Sequence, residues 1–328
     1  MKIQEFRDKI KKCPKEDLEK IAAELYKMLP KSKKEEMADQ LIDDIIAGKS
    51  VVVTKKKETI VDFELLKKQI EHFLSDVDNN YYVAPNRNVP KSERSKWRFE
   101  VKGFVKMINK IPVDGENGTE SARLLRELYK KLVYGCGYYI LPSEDPFQAI
   151  GIRQPDFYDM LVNRTFATGY TDENLKNMLE DAALVYMERN SLQIELEAKF
   201  VKSLPTNDLK YKALDLIMKY VDKYESKLKS MGKWDDDRYK LEEHIEEMCK
   251  TMLIISISLF EPDDAVRYFW KHYISPKNEI TLYVMLDVIE IYGDDELWIK
   301  VYEEGLKKKI EPRSVLKKRY NEIMNSRA

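Results

Sequence analysis

The chain is poor in the residues that break or staple a fold. Its 328 residues include 11 glycines, 12 prolines, three cysteines and three histidines. So few breakers, set among many Lys, Glu, Leu and Met residues, favour long helices over sheet. Cys13, Cys136 and Cys249 lie more than a hundred residues apart with no CxxC pair. That spacing excludes a disulfide framework or a cysteine zinc site and points to a reduced, cytoplasmic setting.

Histidine is equally thin. Only His72, His244 and His272 could serve a catalytic triad, and there is no GxSxG motif. His244 and Glu247 would share a helix face, but no ExxH motif surrounds them and no matching pair occurs elsewhere, so no metal is expected. Gly135-x-Gly137 lacks the third glycine of a dinucleotide loop, and no GxxxxGK[ST] sequence is present. Cys136, between those glycines, reads as a small packing residue at a helix end. No cofactor and no catalytic residue are expected.

Long apolar runs are missing too. The amino terminus, MKIQEFRDKIKK, is charged from its second residue and lacks a signal-peptide apolar region. The longest apolar stretch, Met252 to Phe260, is interrupted by Ser256 and Ser258. A bilayer-spanning helix needs about 20 apolar residues, so this stretch reads as a buried helix end and no membrane association is expected.

What is present is helical periodicity. Residues 1–47 read as a small N-terminal helical module: Ile3, Phe6 and Ile10, then Leu18, Ile21, Leu25 and Leu29, then Met37, Leu41, Ile45 and Ile46, punctuated by Pro14, Pro30 and Gly48. Residues 48–60, with Lys55, Lys56 and Lys57, read as a polar linker ahead of a larger body, 61–328. There Phe63, Leu66, Ile70, Phe73, Leu74 and Val77 predict a helix from about Asp62 to Asp76. Asn79 to Ser92 predicts a loop, with Ser92 as the N-cap of the next helix. The glycines at 135 and 137 are expected to end the helix begun near Thr119.

Tyr138 to Tyr158 reads as a long aromatic loop pinned by Phe147, Ile150 and Ile152, with Arg153, Gln154 and Asp156 among apolar neighbours. From Thr171 onward about eight helices follow, with Asp172, Asp208, Asp235, Asp263, Ser275 and Asp294 at or near their starts. Short connections make neighbours antiparallel. The predicted fold is all-α, an irregular array of antiparallel helical hairpins in the manner of HEAT or armadillo solenoids, with a closed multi-helix bundle as the alternative.

Charge is concentrated in one place. The net charge is −1, yet Arg94, Arg98, Lys102, Lys106 and Lys110 recur every four residues. Along a helix that row is a slowly drifting stripe of roughly 24 Å. Trp97, Val101, Phe104, Val105, Ile108 and Ile111 form a separate apolar stripe. Between Tyr81 and Lys110 there are eight basic residues, Arg87 among them, against Glu93 and Glu100. Tyr81 and Tyr82 lie in the same window, where aromatics beside cations could stack on bases.

Two readings follow. Residues 1–112 carry 25 basic and 19 acidic side chains, and the remainder 32 and 39. That imbalance predicts a ridge buried as an electrostatic seam against acidic helices. The functional expectation is then a non-catalytic scaffold or adaptor that binds another protein through its stacked helices. The alternative is a nucleic-acid-associated protein that meets phosphates with Arg87, Arg94, Arg98, Lys102, Lys106 and Lys110 and bases with Tyr81 and Tyr82.

Overall fold

A computed structural model describes residues 3–28, 42–43, 46, 61–183, 186–235 and 237–327. The chain divides into two compact units, Met1–Ile60 and Val61–Ala328. All regular structure among the described residues is helical.

In the first unit, α1 (Ile3–Ile10) and α2 (Lys15–Met28) flank Pro14, whose carbonyl accepts the N–H of Leu18 at 3.1 Å. Proline cannot continue α1 but can open α2, because its carbonyl is free to start a new hydrogen-bond ladder. Ile42, Asp43 and Ile46 are helical. The rest of the predicted third helix and the 48–60 linker lie outside the described residues.

The second unit begins with α3 (Phe63–Asp78), capped by Asp62, whose carboxylate accepts the Leu65 N–H at 3.1 Å. Its Leu66, Ile70, Phe73 and Val77 fall on one face and are buried, as the helical spacing requires. The loop that follows is tied by Asn86. Its amide donates to the carbonyls of Tyr81 and Ala84 and accepts from the N–H groups of Asn88 and Val89.

The chain then tightens into a 3-10 turn at Arg94–Lys96 and enters α4 (Trp97–Ile108). Ser92 is not its cap. The Pro90 carbonyl instead receives the N–H groups of Glu93 and Arg94, so a backbone turn launches the helix. Trp97, Val101, Phe104, Val105 and Ile108 are all buried, which confirms the predicted apolar stripe.

Helix α5 (Gly118–Gly137) runs through the glycines expected to end it. They serve close approach. A Cβ at Gly135 would lie 2.9 Å from Pro146, and one at Gly137 2.5 Å from the Tyr186 ring. Next come α6 (Pro146–Ile150), closed by Gly151 at φ 64°, and α7 (Gln154–Ala167), with Pro155 in its first turn. The region read as a long loop is thus half helical, with Phe147 and Ile150 fully buried. Gln154 is buried as well: its carbonyl accepts the Glu188 N–H at 2.8 Å and its amide donates to the Tyr186 carbonyl at 3.2 Å.

Eight further helices follow among the described residues: α8 (Asp172–Ala182), α9 (Gln193–Lys202), α10 (Asn207–Ser230), α11 (Arg238–Ser258), α12 (Pro262–His272), α13 (Asn278–Tyr292), α14 (Asp295–Lys307) and α15 (Ser314–Arg327). Of the caps named from sequence, Asp294 holds its place, accepting the Leu297 N–H at 2.8 Å. Thr171 and Thr206 cap α8 and α10 instead, which moves Asp172 and Asp208 into the first turns. A threonine one or two positions ahead takes the cap, while the aspartate still complements the helix dipole.

Helices α3, α5, α7, α9, α11 and α13 each touch the next in that series. The intervening helices lie against this row, and α4 also meets α6, as α8 meets α10. The hydrophobic core runs through the row. Tyr129 of α5 sits among Phe147, Phe157 and Tyr158, with ring centroids 5.7–6.0 Å away. Each such pair contributes about 0.5–1.5 kcal/mol beyond simple burial.

Candidate functional site

The cationic row does not form the predicted seam. Arg98, Lys102, Lys106 and Lys110 are exposed, and none is ion-paired among the described residues. Lys96, off the row, pairs with Glu93 at 2.6 Å. Acidic helices are abundant elsewhere, but α4 packs mainly on α3, α5 and α6, and the carboxylates of α7 that face Lys102 and Lys106 stand across an open groove without pairing to them.

The row is also shorter as a helical feature than the sequence suggested. Arg94 lies on the 3-10 turn, where its Nε donates to the Val89 carbonyl at 3.2 Å. Lys110 lies beyond the C-cap Asn109. Arg98, Lys102 and Lys106 remain on the α-helix, spanning about 12 Å at 1.5 Å per residue.

The aromatic partners divide. Tyr82 is 4% exposed, tilted against Phe73 at 5.5 Å, and its hydroxyl donates to Glu100 at 3.2 Å. It is a core residue and offers no face to a base. Burial raises its phenol pKa, and the neighbouring carboxylate reinforces the shift. Tyr81 is half-buried. Phe99, which the sequence reading did not select as a site residue, is 61% exposed with the Arg98 guanidinium 4.9 Å above its ring. Arg87 is exposed on the preceding loop.

Beside the row runs a groove of 680 Å³ between α4 and α7. Lys102 and Lys106 form one wall, Asp156 and Asp159 the other, and Val105, Ile152 and Met160 give it apolar lining. Asp159 is engaged by Lys199 at 3.5 Å, whereas Lys102 and Lys106 have no such partner. A Cβ at Gly151 would lie 3.4 Å from the Lys102 ammonium, so the lysine rests against the C-terminal end of α6. Carbonyl groups at a helix end favour a cation there. Asp159 and Met160 went unselected in the sequence, although their spacing from Asp156 already placed them on one helical face.

The other sequence candidates resolve into structural roles. Cys136 is half-buried, and burial, with Asp145 and Glu188 nearby, pushes its thiol up to about 12. A thiol so raised is the reverse of a reactive thiolate. Arg153 pairs with Glu195 at 2.7 Å, and Asp156 is exposed on the groove wall. His244 stacks on Tyr224 at 5.7 Å, and burial lowers its pKa. Its helix neighbour Glu247 turns instead to Lys250 at 2.5 Å. His72 lies 3.6 Å from Asp76, and His272 bonds Glu225 at 2.7 Å. Among the described residues no three His, Cys, Asp or Glu side chains are grouped to hold a metal ion, and no helix is long and apolar enough to cross a membrane.

Glu197, which the sequence reading did not select, completes a buried acidic cluster with Glu246 and Glu247. Glu197 of α9 is fully buried, with Lys250 of α11 at 3.9 Å and Glu247 alongside. Burial raises its pKa well above the ordinary range, and repulsion from Glu247 adds to this. Neither Glu197 carboxyl oxygen has a hydrogen-bond partner among the described residues, so burial favours its neutral acid form, while Lys250 turns to Glu247. Glu246, one residue before Glu247, is pushed up to about 7 by burial, against a hydrogen bond from Tyr273. This cluster lies within helix packing, and none of its members lines the α4–α7 groove. Comparison with known proteins leaves the functional assignment to these geometries, since no family model, curated protein or solved structure matches the chain.

Proposed function

We propose that the chain is a non-catalytic cytosolic scaffold, built as an array of helical hairpins, that holds an acidic amphipathic helix of a protein partner in the α4–α7 groove. The array reading is supported by the contact pattern of the second unit: every helix pair in substantial contact is adjacent in sequence or separated by a single helix. Repeat-like stacks have this one-dimensional connectivity, whereas a closed bundle would bring distant helices together.

One observation carries the partner's chemistry. Lys102 and Lys106 are exposed cations without carboxylate partners at the edge of an apolar-lined groove, and Arg98 continues their stripe. An amphipathic helix that laid Leu-type residues on Val105, Ile152 and Met160 would bring its own carboxylates to those lysines. With Tyr82 buried, Phe99 is the one fully presented ring beside the row among the residues from Tyr81 to Lys110, too few for a run of stacked bases.

The test is fluorescence anisotropy with a labelled amphipathic helical peptide carrying leucines on one face and glutamates beside it. The intact chain should bind it, and Lys102→Glu with Lys106→Glu should weaken binding about tenfold or more, equivalent to about 1.4 kcal/mol. Preferential binding of mixed-sequence DNA or RNA, lost in the same variant and falling steeply with salt, would overturn this reading in favour of the nucleic-acid alternative.

A further inference from the structure

Phe260 violates two local preferences at once. It belongs to the apolar run that reads as a buried helix end, and Met252 to Ile255 are indeed buried, yet its own ring is 94% exposed. Its backbone sits at φ 61°, in the left-handed region. The position closes α11 in a Schellman arrangement: the Phe260 N–H donates to the Ile257 carbonyl and the Glu261 N–H to that of Ser256, both at 3.0 Å. Glycine is the usual occupant of that site, and a bulky L-residue costs about 1–2 kcal/mol there. Neither the cap nor the core uses the phenyl ring.

The ring stands at the edge of a groove of 860 Å³ whose seventeen lining residues come from α9 to α14. Val201, Leu204, Ile254 and Leu297 give it an apolar floor. Lys202 and Lys210 come from α9 and α10, while Asp294 and Glu296 come from the start of α14. Lys300 and Asp263 neutralise each other at 2.6 Å. The groove therefore holds three lysines and three carboxylates, a balance that selects neither an acidic nor a basic partner.

We propose that this face is the interface between two copies of the chain, with Phe260 of each copy seated in the groove of the other. A projecting ring and a matching hollow on one face are what an isologous two-fold contact requires, since each copy supplies what the other lacks. A two-fold axis along the groove brings the lysine side of one copy to the acidic side of the other. A bulky ring kept at a strained cap is accounted for by burial on association, because buried aromatic anchors dominate binding energy. None of these residues lines the α4–α7 groove, so failure here leaves the scaffold reading untouched.

Sedimentation velocity of the full chain over a rising concentration series decides the matter. The wild type should pass from one to two chain masses. Phe260→Gly keeps the Schellman cap and gives the left-handed position its preferred residue. It should remain monomeric throughout, with a thermal midpoint no lower than that of the wild type at low concentration. A wild type that stays monomeric across the series, or a Phe260→Gly variant that still dimerises, would overturn the proposal.

Discussion

Replacing Glu246 by glutamine should stabilise this protein at neutral pH and leave its stability near pH 4.5 unchanged. Glu246 lies on α11 beside Glu243, Glu247 and Lys250 and accepts from the Tyr273 hydroxyl, and burial lifts its carboxyl from 4.5 to about 7. A carboxyl whose folded pKa is raised binds a proton in the folded chain before the unfolded chain does. Stability therefore rises as pH falls from about 7 to 4.5, then levels off for this group. The difference of 2.5 between those two values corresponds to about 3 kcal/mol at 1.36 kcal/mol per unit. The side chain keeps some contact with solvent, which brings the expected effect to about 1–3 kcal/mol.

Asp181 acts in the same direction between 3.8 and about 6, because burial raises it further than Arg126 lowers it. Glu120 acts oppositely. Hydrogen bonds from Arg123 and Lys67 hold it at about 2, so its contribution is lost only as pH falls below 4.5. Urea unfolding of wild type and Glu246→Gln at pH 7, 6 and 5 reads the effect as a shift in midpoint at constant m. The glutamine carbonyl still accepts from Tyr273, so the variant removes the charge and keeps the hydrogen bond. A variant less stable than wild type at pH 7, or a wild type that weakens from pH 7 to 5 in parallel with it, would refute this account of the cluster.

Arg126→Met strips Asp181, whose side chain is 1% exposed, of a partner at 2.5 Å. The cost should be about 3 kcal/mol at pH 7 and shrink toward pH 5 as Asp181 takes up a proton, measured by urea titration at both pH values. Gly137→Ala places a Cβ 2.5 Å from the Tyr186 ring and should lower stability by about 1–3 kcal/mol, seen as a drop in thermal midpoint. Arg98→Glu, Lys102→Glu and Lys106→Glu together replace exposed, unpaired cations. Thermal stability should therefore change little, within about 0.5 kcal/mol per site, so any lost binding reflects the surface and not the fold.

Helical class was legible because periodicity is a local signal. The stripe from Trp97 to Ile108 alone places α4 and its buried face. Its start was misplaced because Ser92 resembles a cap, while the group that acts is the Pro90 carbonyl, which no side-chain rule reveals. Gly135 and Gly137 look like breakers until Pro146 and Tyr186 are seen against them, and those contacts are long-range in sequence. Tyr82 and Phe99 were indistinguishable as aromatics beside cations, and only the packing of Phe73 sends one inward. The expected seam failed for a related reason. Total charge counts acidic side chains but does not locate them, and carboxylates such as Glu120, Asp78 and Glu290 engage Lys67, Lys131 and Arg319 instead. Glu197 in the middle of α9 reads as one more polar-face residue, because a single helix cannot show what will cover it.

The short sequence span of most helix contacts in the second unit bears on how it is made. Chain segments that meet early in sequence close small loops, and small loops cost little entropy to form. Helical pairs such as α10 with α11, or α13 with α14, can assemble within microseconds to milliseconds without waiting for remote strands of chain. Growth from any such pair adds one helix at a time, so a nascent chain can begin to fold before synthesis ends. Loss follows the same order. Helix α15 rests mainly on α14, and its amide protons should exchange with solvent well before those of α11, which is held by helices on several sides.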